Sequence, residues 1–514
     1  MKNNSPMKRV LIITAGLLAL MSLSGCEKFL EDEPESVLTQ VGFFNTPVRI
    51  NQGVIGCYAG MTAVMNDEWM FTELRSDNTC VAATGSSSST RQYLTSIAHF
   101  ILPPSEPVLL NYWYNTFQNI SNINAVLPSV LDNTYIPIEA HRAQYEAELR
   151  FMRAYHYLQL VNLFGDMFKV TSVIGPGEAK QIPRSPVSEI YNEIIIPDLT
   201  IAADNAPPSY PSTDVGRVTN WAAKGLLAKA YMMMGGTDNL AKAKALLEDI
   251  MANSGHMLEP EFADVFSTSN EMNPEILFAV RYKGGGLGIG SPFWEFFAPD
   301  GSANKYLKVG SPDGDNNPTL EIMSLFRKDT LDTRTAASFD VYVRSSTQIN
   351  PFIMKYVDDN ITQAKQAEND WIILRYADVV LLYAEILAQD GNYGIANQEV
   401  NKVRSRAKVA DMAPFTSREM ALDSIYKERR LELAFENHRW FDLLRMRDSY
   451  NDPDKPMAIL RQHTFHTDSI LYTSFTKLPP PDVANYINAR LLLPIPQQEL
   501  DTNNEMDIPQ NDSY

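Results

Sequence analysis

Four aromatic residues fall within five positions of a glycine- and proline-rich stretch, and a lysine and a tyrosine follow: Phe293, Trp294, Phe296, Phe297, Lys305 and Tyr306. The spacing has no helical period that would bury all of them, and a large exposed apolar patch usually marks an interface. A sugar stacks its C–H face on an aromatic ring, while its hydroxyls need Asn, Asp, Arg or Lys partners. The pattern therefore predicts a carbohydrate platform. The alternative is that these rings pin the loop to the rest of the protein.

Other chemistries have less support in the sequence. The glycines between 284 and 290 are not followed by the Gly-Lys-Ser/Thr of a phosphate loop. Asp313, Asp315 and Asn317 imitate the start of a calcium loop. Pro318, however, stands where such a loop needs glycine. The seven histidines are scattered, and no nucleophile motif or selected carboxylate pair indicates hydrolysis. We expect no enzyme, no metal site and no cofactor.

A long pattern near the C-terminus predicts one helix over residues 415–446. Thr416 and Glu419 have the spacing of a capping box, and Phe415 and Met420 have that of a hydrophobic staple. Farther along, apolar residues cover most of the circumference, which is typical of a buried helix.

Charged residues in a buried helix need partners. Three oppositely charged pairs stand three positions apart on one face: Arg429–Glu432, Glu436–Arg439 and Asp442–Arg445. The pattern indicates a scaffold helix held by internal ion pairs rather than a functional site.

The first 25 residues have the features of a lipoprotein signal peptide. Lys2, Lys8 and Arg9 precede a mostly apolar run, and small residues then lead to Cys26. The run is too short for a comfortable membrane span. We expect Cys26 to become the lipidated first residue of the mature chain and to anchor it to a membrane. A plain secretory signal with an incidental cysteine is the alternative.

The charge balance argues against several partners. The chain has 44 Lys and Arg residues against 62 Asp and Glu residues, and removal of the first 25 residues, three of them basic, leaves a net charge of −21. Neither nucleic acid nor an anionic lipid surface suits such a chain. Cys57 and Cys80 could pair in an oxidising compartment. Two cysteines, however, make no disulfide framework and no zinc pattern.

Helical periodicity dominates the mature chain. Amphipathic patterns cover residues 43–65, 112–131, 139–164, 187–205 and 396–408. A small residue, a large residue three positions on, a turn glycine seven positions on and an alanine beyond the glycine occur twice: first at Ala228, Tyr231, Gly235 and Ala241, then at Ala384, Leu387, Gly391 and Ala396. Helix pairs of this kind must stack to bury their faces. The fold predicted is mainly α, a tetratricopeptide-like helical-repeat scaffold.

Two irregular regions interrupt the helices. The longer one is an insertion at about residues 282–370, in which residues 339–344 and 352–357 predict a small β-hairpin. The shorter one covers residues 79–107. Long loops on a rigid scaffold are where function usually lies.

Several segments resemble the SusD/RagB family. They are KERRLELAFENHRWFDLLR at 427–445, LRFMRAYHYLQLVNLFGD at 149–166, DEWMFTELRSDN at 67–78 and LLLPIPQQEL at 491–500. An acidic stretch at 27–33 also resembles the export tags of surface lipoproteins. The resemblance implies a single domain over residues 26–514. It also implies a lipoprotein of the outer membrane, facing the cell surface, that works beside a SusC-like TonB-dependent transporter.

A glycan site built from the two irregular regions is a further implication of the resemblance. The residues expected in it are Asp77, Asn78, Arg91 and Tyr93, in or directly before the region at 79–107, and Phe293, Trp294, Phe297, Lys305 and Tyr306 from the insertion. The ligand stays open between an oligosaccharide or polysaccharide and, for a lid of the same fold, a peptide or another non-sugar nutrient.

Overall fold

The computed structural model describes residues 43–81, 92–345, 348–465, 490–503, 506 and 508–514. The chain divides into two units, residues 1–45 and 46–514, and the elements named here belong to the second. The α-helices are α1 (Pro47–Thr72), α2 (Gln92–Ala98), α3 (Pro107–Leu131), α4 (Glu139–Phe164), α5 (Pro176–Ala179), α6 (Val187–Ile190), α7 (Ile196–Asn205), α8 (Asn220–Met234), α9 (Thr237–Asn253), α10 (Phe293–Phe297), α11 (Leu320–Phe326), α12 (Arg334–Ser338), α13 (Tyr376–Gln389), α14 (Tyr393–Arg406), α15 (Arg418–Glu432), α16 (Arg439–Ser449), α17 (Lys455–Phe465) and α18 (Gln497–Thr502).

The strands are short and pair two by two. They are β1 (Thr79–Cys80), β2 (Met167–Phe168), β3 (Arg184–Ser185), β4 (Ile276–Val280), β5 (Asn317–Pro318), β6 (Phe339–Ser345), β7 (Gln348–Ile353) and β8 (Trp371–Arg375). The antiparallel pairs are β1 with β5, β2 with β3, β4 with β8 and β6 with β7. No helix in the described ranges is long and apolar enough to cross a membrane.

The helices stack as the repeats predict. Helix α4 packs on α7, α7 on α8, α8 on α9, α9 on α13 and α13 on α14, and α15 closes the series against α13. Gly235 ends α8 with a φ of 66°, a conformation that glycine adopts without strain. At Gly225 a Cβ atom would come within 2.1 Å of the Leu374 side chain, so the absence of a side chain lets α8 approach β8. The mainly α, tetratricopeptide-like scaffold is confirmed.

The predicted helix bounds are right in some places and shifted in others. The helix predicted at 139–164 is observed with those bounds as α4, while α3 begins at Pro107. The first helix was expected at residues 43–65, but α1 runs from Pro47 to Thr72. Thr46 sets its start, because the threonine side chain accepts a hydrogen bond from the Arg49 amide.

The insertion leaves and re-enters the scaffold through one pair of strands. Strand β4 precedes it, β8 follows it, and the two pair antiparallel. At the mouth, the Tyr282 amide donates to Asp370 Oδ1 over 2.9 Å. The predicted hairpin is present as β6 and β7, with Tyr342 opposite Asn350. Its second strand begins earlier than predicted, at Gln348.

The single helix predicted over residues 415–446 is wrong, because the chain leaves the helix after Glu432 and resumes it at Arg439. Phe435 and Asn437 have positive φ angles of 68° and 64° in this break. The break releases backbone groups for other partners: the Phe435 and Asn437 amides donate to the Glu73 carboxylate over 3.2 and 3.1 Å. The buried Glu73 carboxylate therefore takes backbone amides that would otherwise form helical hydrogen bonds.

The cap of α15 also differs from the prediction. Ser417 rather than Thr416 is the N-cap residue, and its Oγ accepts from the Met420 amide over 3.2 Å. The shift of one position removes Glu419 from the place it needs in a capping box.

Of the three predicted ion pairs, all of them among the described residues, only Asp442–Arg445 forms, at 2.8 Å. Arg429 instead binds Asp442 and Asp378, both at 2.8 Å. Because the helix is broken, the remaining charges face other elements rather than each other. Arg439 turns to the segment that follows α1 and binds Asp77.

Glu432 and Glu436 lie at the centre of a buried charge network. Arg375 binds both, over 2.6 and 2.8 Å, Lys355 binds Glu436 over 2.6 Å, and Arg334 and Arg406 bind Glu432. Burial would raise the pKa of Glu432, but the neighbouring arginines hold it well below its usual value. These pairs join segments that are far apart in sequence.

Cys57 and Cys80 do not form a disulfide with each other. Cys57 is buried in α1, and Cys80 Sγ lies 3.5 Å from the Asn317 carbonyl oxygen. Burial raises the pKa of the Cys57 thiol to about 12.

Candidate functional site

Three of the predicted platform residues are buried in the core. Phe293, Trp294 and Phe297 are 0%, 1% and 0% exposed. The prediction that these rings face solvent is therefore wrong. The segment forms the short helix α10, and neighbours from distant parts of the chain enclose its faces: Trp371 lies 4.5 Å from Phe293, and Trp69 lies 5.3 Å from Phe297, centroid to centroid. These rings pin the insertion to the scaffold.

The buried tryptophan supports a series of rings that reaches the surface. Trp294 lies 6.2 Å from Phe352, Phe352 lies 4.8 Å from Tyr306, and Tyr306 meets Tyr342 edge-to-face at 5.9 Å. Trp294 and Phe352 are buried, whereas both tyrosines are half-buried. The core thus fixes the orientation of the two tyrosine rings from below.

An exposed lysine completes this group. The Lys305 Nζ atom lies 4.9 Å from the Tyr306 ring centroid and 5.1 Å from that of Tyr342. We call Lys305, Tyr306 and Tyr342 the tyrosine cluster. Two partly accessible rings beside an ammonium group combine apolar surface with hydrogen-bond donors, the combination that a sugar needs.

Polar groups border the tyrosine cluster. Arg344 forms an ion pair with Asp300 at 3.7 Å. The Asn350 side-chain amide donates to the Asp300 carbonyl over 3.2 Å, and the Tyr342 hydroxyl donates to the Gly301 carbonyl over 3.1 Å. The turn between α10 and the hairpin is therefore tied to both strands. Arg344 and Asp300 keep part of their side chains in solvent, so they retain capacity to bind hydroxyl groups.

Asp77 and Asn78 are buried and serve the structure. Both are 0% exposed. Arg439 donates to the two carboxylate oxygens of Asp77 over 2.7 and 2.9 Å. Arg430 donates to the Asn78 side-chain oxygen over 2.9 Å. Their prediction as ligand-binding groups is contradicted, since paired buried side chains present no surface to a sugar.

These two residues instead join the two irregular regions. The Thr319 amide donates to the Asn78 carbonyl over 3.0 Å, and Thr79 pairs with Pro318. Asn317 in turn donates its side-chain amide to the Pro351 carbonyl of β7 over 2.9 Å. The segment after α1 therefore contacts the insertion next to its hairpin.

The other residues predicted in the first region have different positions. Tyr93 is half-buried on α2, a different element from those that carry the tyrosine cluster, so its role in the site stays a prediction. Arg91 lies outside the described residues, as does Cys26.

The loop that imitates a calcium motif has another use. The Asp313 and Asp315 amides donate to the Glu295 and Phe296 carbonyls over 2.9 and 2.7 Å, which binds the loop to α10. Among the described residues, no group of three or more His, Cys, Asp or Glu side chains is placed to hold a metal ion.

Comparisons with known proteins agree on one family. A family model described as "SusD family" matches residues 332–514, and another described as "starch-binding associating with outer membrane" matches residues 28–232. SusD-like protein P25 of Formosa agariphila is 26% identical, with 94% of this chain and 95% of that protein covered.

The chain belongs to the SusD/RagB family.

Solved structures show the same fold. A laminarin-binding SusD-like protein superposes with a TM-score of 0.73 at 23% identity, covering 91% of this chain and 100% of that one. Surface glycan-binding protein A from Bacteroides fluxus superposes with a TM-score of 0.76 at 21% identity, again covering 91% and 100%. The second family model associates this SusD/RagB protein with the outer membrane.

Three residues at the surface of this SusD/RagB protein were not predicted from the sequence. Tyr342 and Arg344 lie on β6, and the Lys365 Nζ atom lies 5.0 Å from the centroid of the half-buried Phe296 ring. The hairpin itself was predicted, and alternation along β6 places Tyr342 and Arg344 on the same face. That signal identifies which strand residues share a face, but not which face meets the aromatic core.

Proposed function

We propose that this protein is a glycan-binding lipoprotein of the outer membrane, with the tyrosine cluster as its ligand-contacting surface. The observation that carries the proposal is the placement of two half-buried tyrosine rings and one lysine on a rigid aromatic base. A sugar ring stacks on the accessible part of such rings, while Lys305 donates to its hydroxyls. Relatives described as laminarin-binding and surface glycan-binding support the proposal.

The proposal includes the anchor and the partner. Cys26, after removal of residues 1–25, carries the lipid, and the body faces the cell surface. The bound oligosaccharide then passes to a SusC-like TonB-dependent transporter. We propose that the protein binds its ligand without transforming it, and the solved structures named for laminarin binding and surface glycan binding support this.

The geometry predicts modest affinity for each sugar unit. In the described part of the chain, the tyrosine cluster offers the ligand two half-buried rings and a few polar groups rather than a deep pocket. Dissociation constants in the micromolar to millimolar range suit this arrangement, and repeated units of a polymer raise the overall affinity through avidity.

Calorimetric titration with neutral plant, microbial and host polysaccharides tests the proposal. Replacement Tyr306→Ala is expected to weaken binding by roughly 1–3 kcal/mol, the scale of one aromatic contact. Tyr114→Ala is the matched control: Tyr114 is 61% exposed on α3, outside the tyrosine cluster. The control is expected to bind as the wild type does.

Two outcomes contradict the proposal. Equal affinity of the wild type and Tyr306→Ala for the polysaccharide would show that the tyrosine cluster does not contact the ligand. Failure of every polysaccharide to bind, together with tight binding of a peptide, favours the alternative function as a lid for a non-sugar nutrient.

A further inference from the structure

A cavity separate from the tyrosine cluster lies between α11, α15, α16 and α17. It has a volume of about 260 Å³. That is close to the lower end of the roughly 300–1,000 Å³ typical of ligand pockets. We call it the basic cavity, because Lys427, Arg430, Arg439 and Lys455 all line it.

Two arginines of the basic cavity are held in place by the protein. Arg430 uses all of its guanidinium nitrogens on Asn78, Glu321 and Asp77. Arg439 uses Nε and Nη2 on the Asp77 carboxylate. Its remaining nitrogen, Nη1, has no hydrogen-bond acceptor among the described residues. Arg439 is only 5% exposed, so this nitrogen is a fixed donor at the wall of the cavity.

The two lysines are not neutralised by any carboxylate that the structure describes. Neither Lys427 nor Lys455 has a carboxylate within ion-pair distance in the described part of the chain. Lys455 is positioned by a ring: its Nζ lies 4.2 Å from the Tyr450 centroid. Tyr450 is itself stacked on Tyr426 at 6.0 Å and donates its hydroxyl to Asp423 over 2.6 Å. The tyrosine pair thus fixes one ammonium group at the cavity.

The charge balance of the basic cavity leaves a cation in excess. Among the described residues that line or contact the cavity, four cations face three carboxylates. Asp77 is shared by both arginines, Glu321 is bound by Arg430, and Asp423 accepts from Tyr450. The whole chain, by contrast, has a formal net charge of −18. A positive cavity in an acidic protein is a specific feature, because random placement of charges would favour the opposite sign.

We propose that the basic cavity binds an acidic sugar unit through its carboxylate. This inference rests on the proposed glycan-binding function and adds a class of ligand to it. The sugar carboxylate accepts charge-assisted hydrogen bonds from Arg439 Nη1 and the two lysines. The sugar hydroxyls then donate to the carboxylates of Glu321 and Asp423.

Calorimetry with D-glucuronate and its neutral methyl ester tests the proposal, because the two probes differ in charge at one group. The wild type is expected to bind the acid and not the ester. The double variant Lys427→Gln/Lys455→Gln is expected to bind the acid about tenfold more weakly, since charge-assisted hydrogen bonds are lost. Neither lysine has an ion-pair partner among the described residues, so the substitution is expected to leave the fold intact.

Lys242→Gln is the matched control. Lys242 also lies over a tyrosine ring, 5.1 Å from the Tyr231 centroid, but does not line the basic cavity. Its substitution is expected to leave glucuronate binding unchanged. Equal binding of acid and ester, or no effect of the double variant, overturns the proposal. Displacement of glucuronate by an equal concentration of inorganic sulfate also overturns it, because the cavity would then bind anions without regard to sugar.

The two sites are tested independently. Lysine-dependent binding of glucuronate without binding of any neutral polysaccharide supports the basic cavity and contradicts the tyrosine cluster. Neutral binding that depends on Tyr306, without binding of glucuronate, supports the tyrosine cluster and contradicts the basic cavity.

Discussion

Arg375 contacts Glu432 twice: Nη1 donates to a carboxylate oxygen and Nη2 to the backbone carbonyl, both over 2.6 Å. Both side chains are completely buried. Arg375 ends β8, where the insertion returns to the scaffold, and Glu432 ends α15, where the helix breaks. The pair therefore fixes the exit of the insertion against the C-terminal helices.

Replacement Glu432→Ala is expected to cost on the order of 3–5 kcal/mol of unfolding free energy, because Arg334, Arg375 and Arg406 lose a shared counter-charge inside the core. Denaturant unfolding measures this. Glu261→Ala is the control, since its pair with Lys408 is more than half exposed, and a cost below about 1 kcal/mol is expected. A Glu432→Ala protein of wild-type stability that has lost sugar binding would contradict the structural role.

Trp294→Ala is expected to destabilise the protein by about 3–5 kcal/mol, because loss of a fully buried ring leaves a cavity beneath the tyrosine cluster. Trp294→Phe keeps an aromatic contact with Phe352 and is expected to lower both the stability and the sugar affinity less than Trp294→Ala does. Thermal unfolding and calorimetry on the same preparations separate the two effects. Full stability of Trp294→Ala combined with lost binding would show instead that the ring reaches the ligand.

The contribution of Glu68 and Glu73 to the unfolding free energy is expected to fall as the pH rises from about 5 to about 8. Buried His156 and His438 act in the opposite direction below about pH 6.5, because burial lowers their pKa values from 6.5 to about 3. Burial raises the pKa of Glu68 and of Glu73 from 4.5 to about 7, and hydrogen bonds from Tyr155 and Tyr112 offset part of this for Glu68. Between these two pKa values the folded protein retains protons that the unfolded chain has released, so each unit of pH removes stability in this window.

The variant Glu68→Gln tests that pH dependence. The amide keeps an oxygen that accepts from Tyr155 but cannot ionise, so the unfolding free energy at about pH 8, relative to that at about pH 5, is expected to be higher in the variant than in the wild type. Glu248→Gln is the control, because Glu248 also accepts from a tyrosine hydroxyl, that of Tyr383, in an exposed hydrogen bond. An unchanged pH dependence in Glu68→Gln would show that this carboxyl is not responsible.

Cys26→Ser is expected to release the protein from the outer-membrane fraction into the soluble fraction, since the thiol that carries the proposed lipid is gone. Fractionation of cells followed by immunoblotting measures this. Protease treatment of intact cells is expected to digest the wild-type body. Complete protection from protease would contradict the surface orientation while leaving the anchor in place.

The sequence predicted the scaffold better than the site. Small residues and turn glycines repeat at fixed spacing, so local pattern alone identified the pair α8–α9 and the pair α13–α14. The limits of the insertion, Tyr282 and Asp370, were predictable because the composition becomes turn-rich between them. Strands β4 and β8 adjoin these limits in the structure. These features depend on neighbours within a few turns of the chain.

The burial of Trp294 and Asp77 could not be predicted in the same way. Trp294 packs on Phe352, and Asp77 is bound by Arg439, which is 362 positions away. Whether such a side chain is exposed depends on what the fold brings to it from elsewhere. For the same reason, spacing paired Glu436 with Arg439, whereas the structure gives each of them a partner on another segment.

The buried charge network has a consequence for export. Arg334, Arg375 and Arg406 precede their carboxylate partners Glu428 and Glu432 in the chain, so a polypeptide that emerges N-terminus first exposes the arginines before these counter-charges arrive. The carboxylates that precede them, Asp332 and Glu275, supply only two counter-charges for the three guanidinium groups, so burying the arginines before Glu428 and Glu432 arrive is unfavourable. We expect the scaffold to remain open until the C-terminal helices have been translocated, and then to close in one cooperative step. A chain stalled in translocation before Glu428 would accordingly stay sensitive to protease.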